Sequence, residues 1–223
     1  MIDIKGICYI VGASAGGSSL DFTVNEKDFV IAADGGYDLL QKSGIASDVL
    51  IGDFDSINSE INHNNIIRHP IEKDDTDSFL AYKLGFEKGY RDFIIFGGIG
   101  GRFDHTLANV QMLCHMAKND ARGFLAGENT IITAIHNSKL SLPSTNTGKI
   151  GVFAHGGIAE GVNISGLKYN LDNGEISPDF PLGVSNEFIG ENARISVTDG
   201  TLIIVWYESI IEFLNKIEIY TEV

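Results

Sequence analysis

The chain has 223 residues, of which 43% are hydrophobic, and this length suits one large domain or two small ones with a substantial core. Its formal net charge of −14 argues against a nucleic-acid partner, because an acidic surface repels the phosphate backbone. No apolar run approaches the roughly 20 residues of a membrane span, and two cysteines are too few for a disulfide framework, so we expect a protein of the reducing cytoplasm.

The first predicted strand, Ile7–Val11, ends in a loop of small residues, Gly12-Ala-Ser-Ala-Gly-Gly-Ser18. This loop formally matches the Gly-x-Ser-x-Gly nucleophile elbow, in which Ser14 would be the nucleophile. Small residues produce such matches by chance, and the loop lacks the lysine of a P-loop. We therefore favour a packing or phosphate-cradling loop over a nucleophilic serine.

The next two predicted strands each lead into an acidic motif. Phe29–Ala33 ends at Asp34-Gly-Gly36, and a short helix follows that should end at Gly44, since glycine is common just beyond a helix C-terminus. Val49–Ile51 ends at Gly52-Asp-Phe-Asp-Ser56. Both motifs stand at the carboxyl end of a strand, which is where open α/β sheets bind ligands.

Asp53 and Asp55 lie two residues apart in the second of these motifs. On an extended backbone both side chains point to the same side and can reach one metal ion. The alternative is a turn that carries two hydrated aspartates. Their position at the end of a buried strand favours the metal site.

The third acidic motif, Lys73-Asp-Asp-Thr-Asp77, follows a strand predicted at Ile66 and Ile67. Thr76 suits the N-cap of a helix that runs to about Lys88, and Asp77 suits its first turn, where the helix dipole favours an anion. An ordinary acidic helix N-terminus would explain one acid. Three acids beside a lysine are more typical of a site for metal and phosphate.

The fourth motif follows the predicted strand Phe93–Phe96 and begins with the glycine loop Gly97-Gly-Ile-Gly-Gly101. A loop almost without side chains lets backbone amides approach an anion. Arg102 adds a guanidinium that matches phosphate oxygens, and Asp104-His105 opens a helix. The alternative is a flexible turn followed by a helix cap. Four glycines directly followed by Arg-x-Asp-His are too many features to coincide by chance, so we favour a functional site.

Carboxylates from several motifs that meet in one cleft repel one another and raise each other's pKa. Such a cluster is stable mainly when a cation occupies it. Oxygen ligands suit Mg²⁺, and Mg²⁺ in a cleft usually accompanies phosphate. The motifs therefore predict metal-dependent phosphate chemistry.

The pattern changes after about Asn137. Ser138–Lys149 is rich in Ser, Thr and Asn and predicts a linker. Short strand-like runs follow at Ile150–Ala154, Arg194–Val197 and Thr201–Trp206. Asp199-Gly200 is a hairpin turn signal, and Ile210–Ile217 fits either a helix or a strand.

The predicted fold class is therefore α/β, with two domains. Residues 1–138 form a mainly parallel nucleotide-binding α/β domain, because continuous apolar strands alternate with helices. Residues 139–223 form an antiparallel β domain.

The four motifs, in this order, resemble those of the thiamin pyrophosphokinase family. The second part is similar too, because Gly166-Leu-Lys-Tyr-Asn-Leu171 and Ser185-Asn186 resemble the family's thiamin-binding segments. Tyr169 stands where some members have tryptophan. The resemblance implies a nucleotide-binding domain followed by a β-sandwich, and a homodimer with active sites between subunits. It implies transfer of diphosphate from ATP to the hydroxyl of thiamin, with Mg²⁺ as cofactor.

The resemblance also implies roles for individual residues. The acidic cluster for Mg²⁺ and substrate would comprise Asp34, Asp53, Asp55 and Asp77, with the last three as metal ligands and, together with Arg102, as catalytic residues. ATP would be held by Asp34, Lys73, Asp74, Arg102, Asp104 and His105, the last two at the start of a helix. The thiamin pocket would be lined by Ser185, Asn186 and Phe188.

Two other functions compete with this one. Val49–Ser56 resembles the strand and Asp-x-Asp of haloacid dehalogenase phosphatases, in which Asp53 would be a nucleophile and Asp55 an acid/base. That hypothesis gives no role to the glycine-rich motif or to the β domain. A non-catalytic nucleotide or thiamin sensor is the third hypothesis, and an intact acidic cluster argues against it.

Overall fold

The computed structural model describes residues 6–13, 20–69 and 75–221, and these form a mixed α/β fold. The strands are β1 Ile7–Val11, β2 Phe29–Ala33, β3 Val49–Gly52, β4 Ile66–Arg68, β5 Asp92–Phe96, β6 Arg122–Ala126, β7 Ile131–His136, β8 Lys139–Leu142, β9 Lys149–Ser165, β10 Leu171–Ile176, β11 Gly183–Glu187, β12 Ala193–Ser196 and β13 Asp199–Trp206. The helices are α1 Gly36–Ser43, α2 Asp77–Glu87, α3 Phe103–Lys118, α4 Ile210–Asn215 and α5 Ile217–Thr221.

The chain divides into two compact units. The first comprises residues 1–112 and 125–128, and the second comprises residues 113–124 and 129–223. The described helices include none that combines the length and the apolar character needed to cross a membrane.

Five parallel strands form the sheet of the first unit, in the order β4-β3-β2-β1-β5. Four of the five residues in each of β1, β2 and β5 are buried, as expected for strands that are covered on both faces. The strand order reverses between β1 and β5, because β2, β3 and β4 all lie on the other side of β1. Such a reversal marks the crevice in which α/β sheets bind ligands.

Two of the predicted helix boundaries of this unit are confirmed, and a third is wrong. The hydroxyl of Thr76 accepts a hydrogen bond of 3.2 Å from the amide of Phe79, so Thr76 caps α2. Gly44 ends α1 with a left-handed backbone. Asp104 is not the N-cap that its position suggested: α3 begins at Phe103, two residues before His105, so Asp104 lies in the first turn.

Close packing explains why the Asp34 motif contains glycine. A Cβ atom on Gly36 would lie 1.8 Å from the carbonyl oxygen of Val11, the last residue of β1. Only glycine therefore allows helix α1 to start directly against the end of β1. This contact fixes the start of α1 beside the carboxyl edge of the sheet.

We expect Gly36→Ala to lower the free energy of unfolding by about 3 kcal/mol, the upper end of the usual overpacking cost, because the added methyl group must displace backbone atoms. Gly44→Ala is the matched control, since its site has a positive φ of 67° but no atom within 4 Å. The control should lose only about 1 kcal/mol from backbone strain. Chemical denaturation measures both values, and equal losses would refute the close-contact explanation.

In the second unit, strand β9 connects most of the sheet. It pairs antiparallel with β13, β11, β12 and β10. This 17-residue strand is much longer than the predicted run Ile150–Ala154. Three glycines, at positions 156, 157 and 161, interrupt the apolar pattern beyond Ala154, although Ala159, Val162 and Ile164 are buried in the second half of the strand. The predicted linker 138–149 is wrong in part, because Lys139–Leu142 forms β8 and pairs with β12.

The hairpin predicted at Asp199-Gly200 is also wrong. Strand β12 pairs with β8 and with the end of β9, whereas β13 pairs with β7 and with the earlier part of β9. The two strands pair with different parts of one long strand instead of with each other, and Asp199 already belongs to β13. The segment predicted as helix or strand at 210–217 is helical.

A buried polar network joins the C-terminal helices to the strands of the second unit. The carboxylate of Glu208 accepts hydrogen bonds from the indole of Trp206 at 2.9 Å and from the ammonium group of Lys216. The hydroxyl of Tyr220 lies 3.0 Å from the Glu208 carboxylate and 3.1 Å from the side-chain oxygen of Asn146. The side chain of Glu208 is only 4% exposed, so these partners replace the water that its carboxylate loses on burial.

Candidate active site

Three carboxylates converge at the carboxyl ends of β2 and β3. Asp34 follows β2, and Asp53 and Asp55 follow β3. One carboxylate oxygen from each lies within 4.8 Å of the others. Asp34 and Asp53 are partly buried and Asp55 is exposed. The predicted convergence of the first two motifs is therefore present in the structure.

Asp34 has the most constrained position of the three. Its backbone has a positive φ of 50°, a conformation that aspartate tolerates better than most residues. One carboxylate oxygen accepts a hydrogen bond of 3.1 Å from the amide of Phe54, and the other accepts one from the hydroxyl of Ser56. The hydroxyl of Ser56 also accepts a hydrogen bond of 3.1 Å from the amide of Gly35. Asp34 thus fixes the loop that carries the other two carboxylates.

The charges in this group repel one another. The pKa of Asp55 lies above its ordinary value, chiefly because of the negative charge of Asp53, with partial desolvation and the charges of Asp34 and Asp77 adding to the effect. A turn in which the amide of Asp55 donates to Asp53 at 3.1 Å keeps the two residues close. The group therefore gains stability when a cation neutralises it.

Asp77 is the first residue of α2, and its negative charge contributes to the raised pKa of Asp55. It is not a member of the three-carboxylate group found among the described residues, which contains Asp34 instead. Lys73 and Asp74 lie outside the described residues, as does Ser14. Their predicted roles stay predictions.

The glycine-rich motif lies beside the reversal of strand order. It follows β5, and the backbone has positive φ at Gly97, Gly100 and Gly101. The buried side chain of Asn109 in α3 donates a hydrogen bond of 2.9 Å to the carbonyl of Gly98, which ties the loop to the helix. The hydrogen bond from Asn109 therefore holds one part of the loop in place. The glycines leave the backbone amides uncovered by side chains, as an anion-binding loop requires.

Arg102 and Asp104 form an exposed pair at the start of α3. The guanidinium donates two hydrogen bonds to the carboxylate, at 3.2 and 2.6 Å. Their side chains are 72% and 65% exposed, and exposed pairs of this kind contribute little to stability. Arg102 can therefore exchange this partner for phosphate at small cost. His105 is exposed in the same helical turn.

In the second unit, the segment Gly166–Leu171 and the pair Ser185-Asn186 are joined by hydrogen bonds. The side chain of Asn186 is buried and bonds twice to the backbone of Tyr169, accepting from its amide at 2.9 Å and donating to its carbonyl at 2.7 Å. The ring of Tyr169 is 62% exposed. Asn186 therefore positions Tyr169, and its own amide is already satisfied by protein partners.

Ser185 and Phe188, on either side of Asn186 in sequence, differ in their exposure to solvent. Ser185 is exposed and has a positive φ of 62°. Phe188 is buried and forms a bridge with Leu167. Of the three residues predicted to line a thiamin pocket, the serine is thus the most available to a ligand.

The sequence interpretation missed two groups that shape the site. Ser56 bonds to Asp34, and its place in the Gly-Asp-x-Asp-Ser motif was the available signal. Asp38 in α1 bonds to Asn58 and Ser59, which follow the Asp-x-Asp pair. Asp38 had no distinguishing signal, because an acid in the first turn of a helix is common.

The donor set fits a magnesium ion. All three converging side chains offer carboxylate oxygens, which are the ligands that Mg²⁺ prefers in proteins. Their mutual repulsion, expressed in the raised pKa of Asp55, also favours a bound cation. In contrast, Cys8 and Cys114 are buried free thiols, and burial raises the pKa of Cys114 to about 11, so it stays protonated.

Two family models match the chain. The thiamin pyrophosphokinase catalytic domain matches residues 20–125, and the thiamin pyrophosphokinase vitamin B1 binding domain matches residues 137–202. The first match includes the three converging carboxylates and the glycine-rich motif. The second match includes Tyr169 and Asn186.

Relatives and solved structures agree with these matches. The chain is 30% identical over 189 residues to thiamine pyrophosphokinase of Bacillus subtilis (strain 168), covering 81% of this chain and 88% of the relative. The crystal structure of thiamine pyrophosphokinase from Bacillus subtilis has a TM-score of 0.81 at 27% identity, covering 92% of this chain and 100% of that chain. Thiamin pyrophosphokinase from Candida albicans shares the fold, with a TM-score of 0.71 at 18% identity over 91% of this chain and 90% of that chain. The chain belongs to the thiamin pyrophosphokinase family.

Proposed function

We propose that this chain transfers diphosphate from ATP to the hydroxyl group of thiamin, giving thiamin diphosphate and AMP. Family membership makes the chain an enzyme that forms thiamin diphosphate from thiamin and ATP. The observation that carries the assignment of the site is the group of three carboxylates at the carboxyl ends of β2 and β3. A glycine-rich loop with an exposed arginine stands at the same edge of the sheet.

Asp53, Asp55 and Asp34 would hold Mg²⁺, with Asp77 adding negative charge from the start of α2. When bound, this ion supplies positive charge to the phosphate oxygens. Arg102 would bind the phosphates through its guanidinium, after its hydrogen bonds to Asp104 have broken. Lys73, Asp74 and His105 complete the proposed ATP site.

In the reaction, the thiamin hydroxyl oxygen attacks the β-phosphorus, and the bond from that phosphorus to the oxygen bridging it to the α-phosphorus breaks. AMP leaves with the bridging oxygen, and the hydroxyl proton is released. Transfer of this kind has a loose transition state, so the protein acts mainly by positioning and by stabilising charge. Preorganisation of the carboxylate loop by Asp34 and Ser56 serves this purpose.

For thiamin, we propose a site built on the segment Gly166–Leu171 and on Ser185. Asn186 and the buried ring of Phe188 hold these segments in place, and the exposed ring of Tyr169 offers an aromatic face to the cationic thiazolium. This arrangement assigns contact to Tyr169 and Ser185 and support to Asn186 and Phe188.

The domain organisation supports this division of labour. We propose a catalytic domain of residues 1–138 and a β-sandwich of residues 139–223. Strand β9 supports the sandwich, because it pairs with two groups of strands, β13 and β11 in one and β10 and β12 in the other. A cytoplasmic location suits two buried free thiols.

We also propose a homodimer with active sites between subunits. In the second unit, Phe180, Leu182 and Val184 are each at least 50% exposed, and large exposed apolar side chains that lie close in sequence favour an interface. Light scattering should give twice the chain mass of 24.2 kDa. A monomer mass at micromolar concentration would refute the dimer.

The reaction is tested by incubating the protein with ATP, Mg²⁺ and thiamin and separating the products by chromatography. We expect AMP and thiamin diphosphate in equal amounts, and no product after chelation of Mg²⁺. ADP with thiamin monophosphate would instead indicate transfer of one phosphoryl group. Phosphate release without an acceptor would support an aspartyl phosphatase, and ligand binding without turnover would support a sensor.

A further inference from the structure

The segment between β3 and β4, residues 53–65, carries two of the three converging carboxylates, and we call it the acidic loop. Charge repulsion between Asp53, Asp55 and Asp34 tends to push this loop away from β2 when no cation is bound. Something must therefore oppose the repulsion. The contact between Ser56 and Asp34 is one such restraint, and it lies inside the charged group itself.

A second restraint lies outside the charged group, on helix α1. The carboxylate of Asp38 accepts hydrogen bonds from the backbone amides of Asn58 at 2.8 Å and Ser59 at 3.2 Å. It also accepts from the side-chain amide of Asn58 at 3.3 Å and from the hydroxyl of Ser59. Both oxygens of one side chain are thus used to hold the acidic loop.

The charge state of Asp38 suits this role. Partial desolvation raises the pKa of Asp38, but hydrogen bonds from Ser59 and Asn58 outweigh that effect and leave the pKa below its ordinary value. Asp38 therefore accepts these bonds as a carboxylate at neutral pH. Its neighbour Tyr37 adds a further bond, since its buried hydroxyl accepts from the amide of Asn62 at 3.1 Å.

We propose that Asp38 is a positioning residue, which holds the acidic loop against β2 so that Asp53 and Asp55 are preorganised to bind a divalent cation. Helix α1 is itself fixed, because Gly36 starts it directly against β1. The restraint therefore runs from the sheet through α1 to the loop. Without Asp38, part of the cation's binding energy would be spent on ordering the loop, and the affinity would fall. The proposal deepens the proposed function, since it concerns the same site.

Direct cation binding tests the proposal independently of the reaction. Mn²⁺ serves as the probe, and the electron paramagnetic resonance signal of the free ion measures binding to the protein without substrates. We expect Asp38→Ala to raise the dissociation constant roughly tenfold, the usual scale for losing a residue that orients metal ligands. Asp38→Asn keeps one acceptor oxygen and should have an intermediate effect, and it provides a folded variant if the alanine variant is unstable.

Asp28→Ala is the matched control. Asp28 also bonds to backbone, accepting from the amides of Ile7 at 2.9 Å and Asn25 at 2.8 Å, but it precedes β2 and so lies at the opposite edge of the sheet. This variant should lose thermal stability without a change in Mn²⁺ affinity. Ser59→Ala should weaken Mn²⁺ binding on its own and add little in combination with Asp38→Ala, because both remove the same contact.

Turnover separates positioning from simple loss of folded protein. At saturating Mg²⁺, Asp38→Ala should keep most of its kcat, while the Mg²⁺ concentration for half-maximal rate rises about tenfold. Fewer folded molecules would lower kcat and leave that concentration unchanged. Mn²⁺ affinity within twofold of wild type, or an equal loss in Asp28→Ala, would overturn the proposal. A wild-type protein that binds Mn²⁺ but makes no thiamin diphosphate would refute the proposed function and leave the Asp38 proposal standing.

Discussion

Asp53→Asn is expected to reduce the rate of thiamin diphosphate formation by roughly 100- to 1,000-fold, the scale for removing one preorganised electrostatic contact. The substitution removes a charge from the three-carboxylate group but preserves shape. An asparagine carbonyl can still accept the hydrogen bond that the amide of Asp55 donates at 3.1 Å, so the local turn should persist. The loss should therefore come from weaker binding of the cation and of the charge that develops in the transition state.

Glu60→Gln provides the control, because Glu60 is an exposed acid in the same acidic loop. It should retain activity within about twofold. Both variants should keep the wild-type melting temperature or exceed it, since removing like charge relieves repulsion. Steady-state kinetics and calorimetry measure these quantities, and near-normal turnover in Asp53→Asn would remove Asp53 from the metal site.

Glu208→Ala is expected to lower the free energy of unfolding by about 3–5 kcal/mol, the usual cost of breaking a buried ion pair from one side. Lys216 would remain 19% exposed without its counter-ion, and the indole of Trp206 would lose its acceptor. Glu208→Gln keeps an acceptor for Trp206 and should cost less. Activity should fall only as far as the folded fraction falls, because Glu208 is not part of the proposed site.

The matched control for this prediction is Glu187→Ala. Like Glu208, Glu187 forms ion pairs, in its case with Lys149 at 2.8 Å and Lys168 at 3.1 Å. Its side chain is 34% exposed, however, and the side chains of the two lysines are more exposed still. Exposed pairs gain little because water solvates the separated charges. Calorimetry should show a clear fall in melting temperature for Glu208→Ala and almost none for Glu187→Ala. Equal shifts would show that burial does not set the strength of the Glu208 network.

Several local features of the fold could be predicted because short stretches of sequence determine them. Thr76 caps α2 and Gly44 ends α1, as their chemistry predicts. The apolar runs of β1, β2 and β5 form buried strands. The strands of the second unit were harder to predict from the sequence, because glycines interrupt the apolar pattern of β9 and its pairing with β12 and β13 joins segments that are distant in sequence.

The sequence by itself determined the acidic and glycine-rich motifs, their positions at strand ends, and the family to which they are similar. The tertiary structure decided which carboxylates meet, and it placed Asp34 beside Asp53 and Asp55. It also showed that Asp38 holds residues about 20 positions away in sequence. The reason is physical: caps and strands depend on neighbouring residues, whereas a carboxylate group depends on loop conformations and on hydrogen bonds that exist only after the chain has folded.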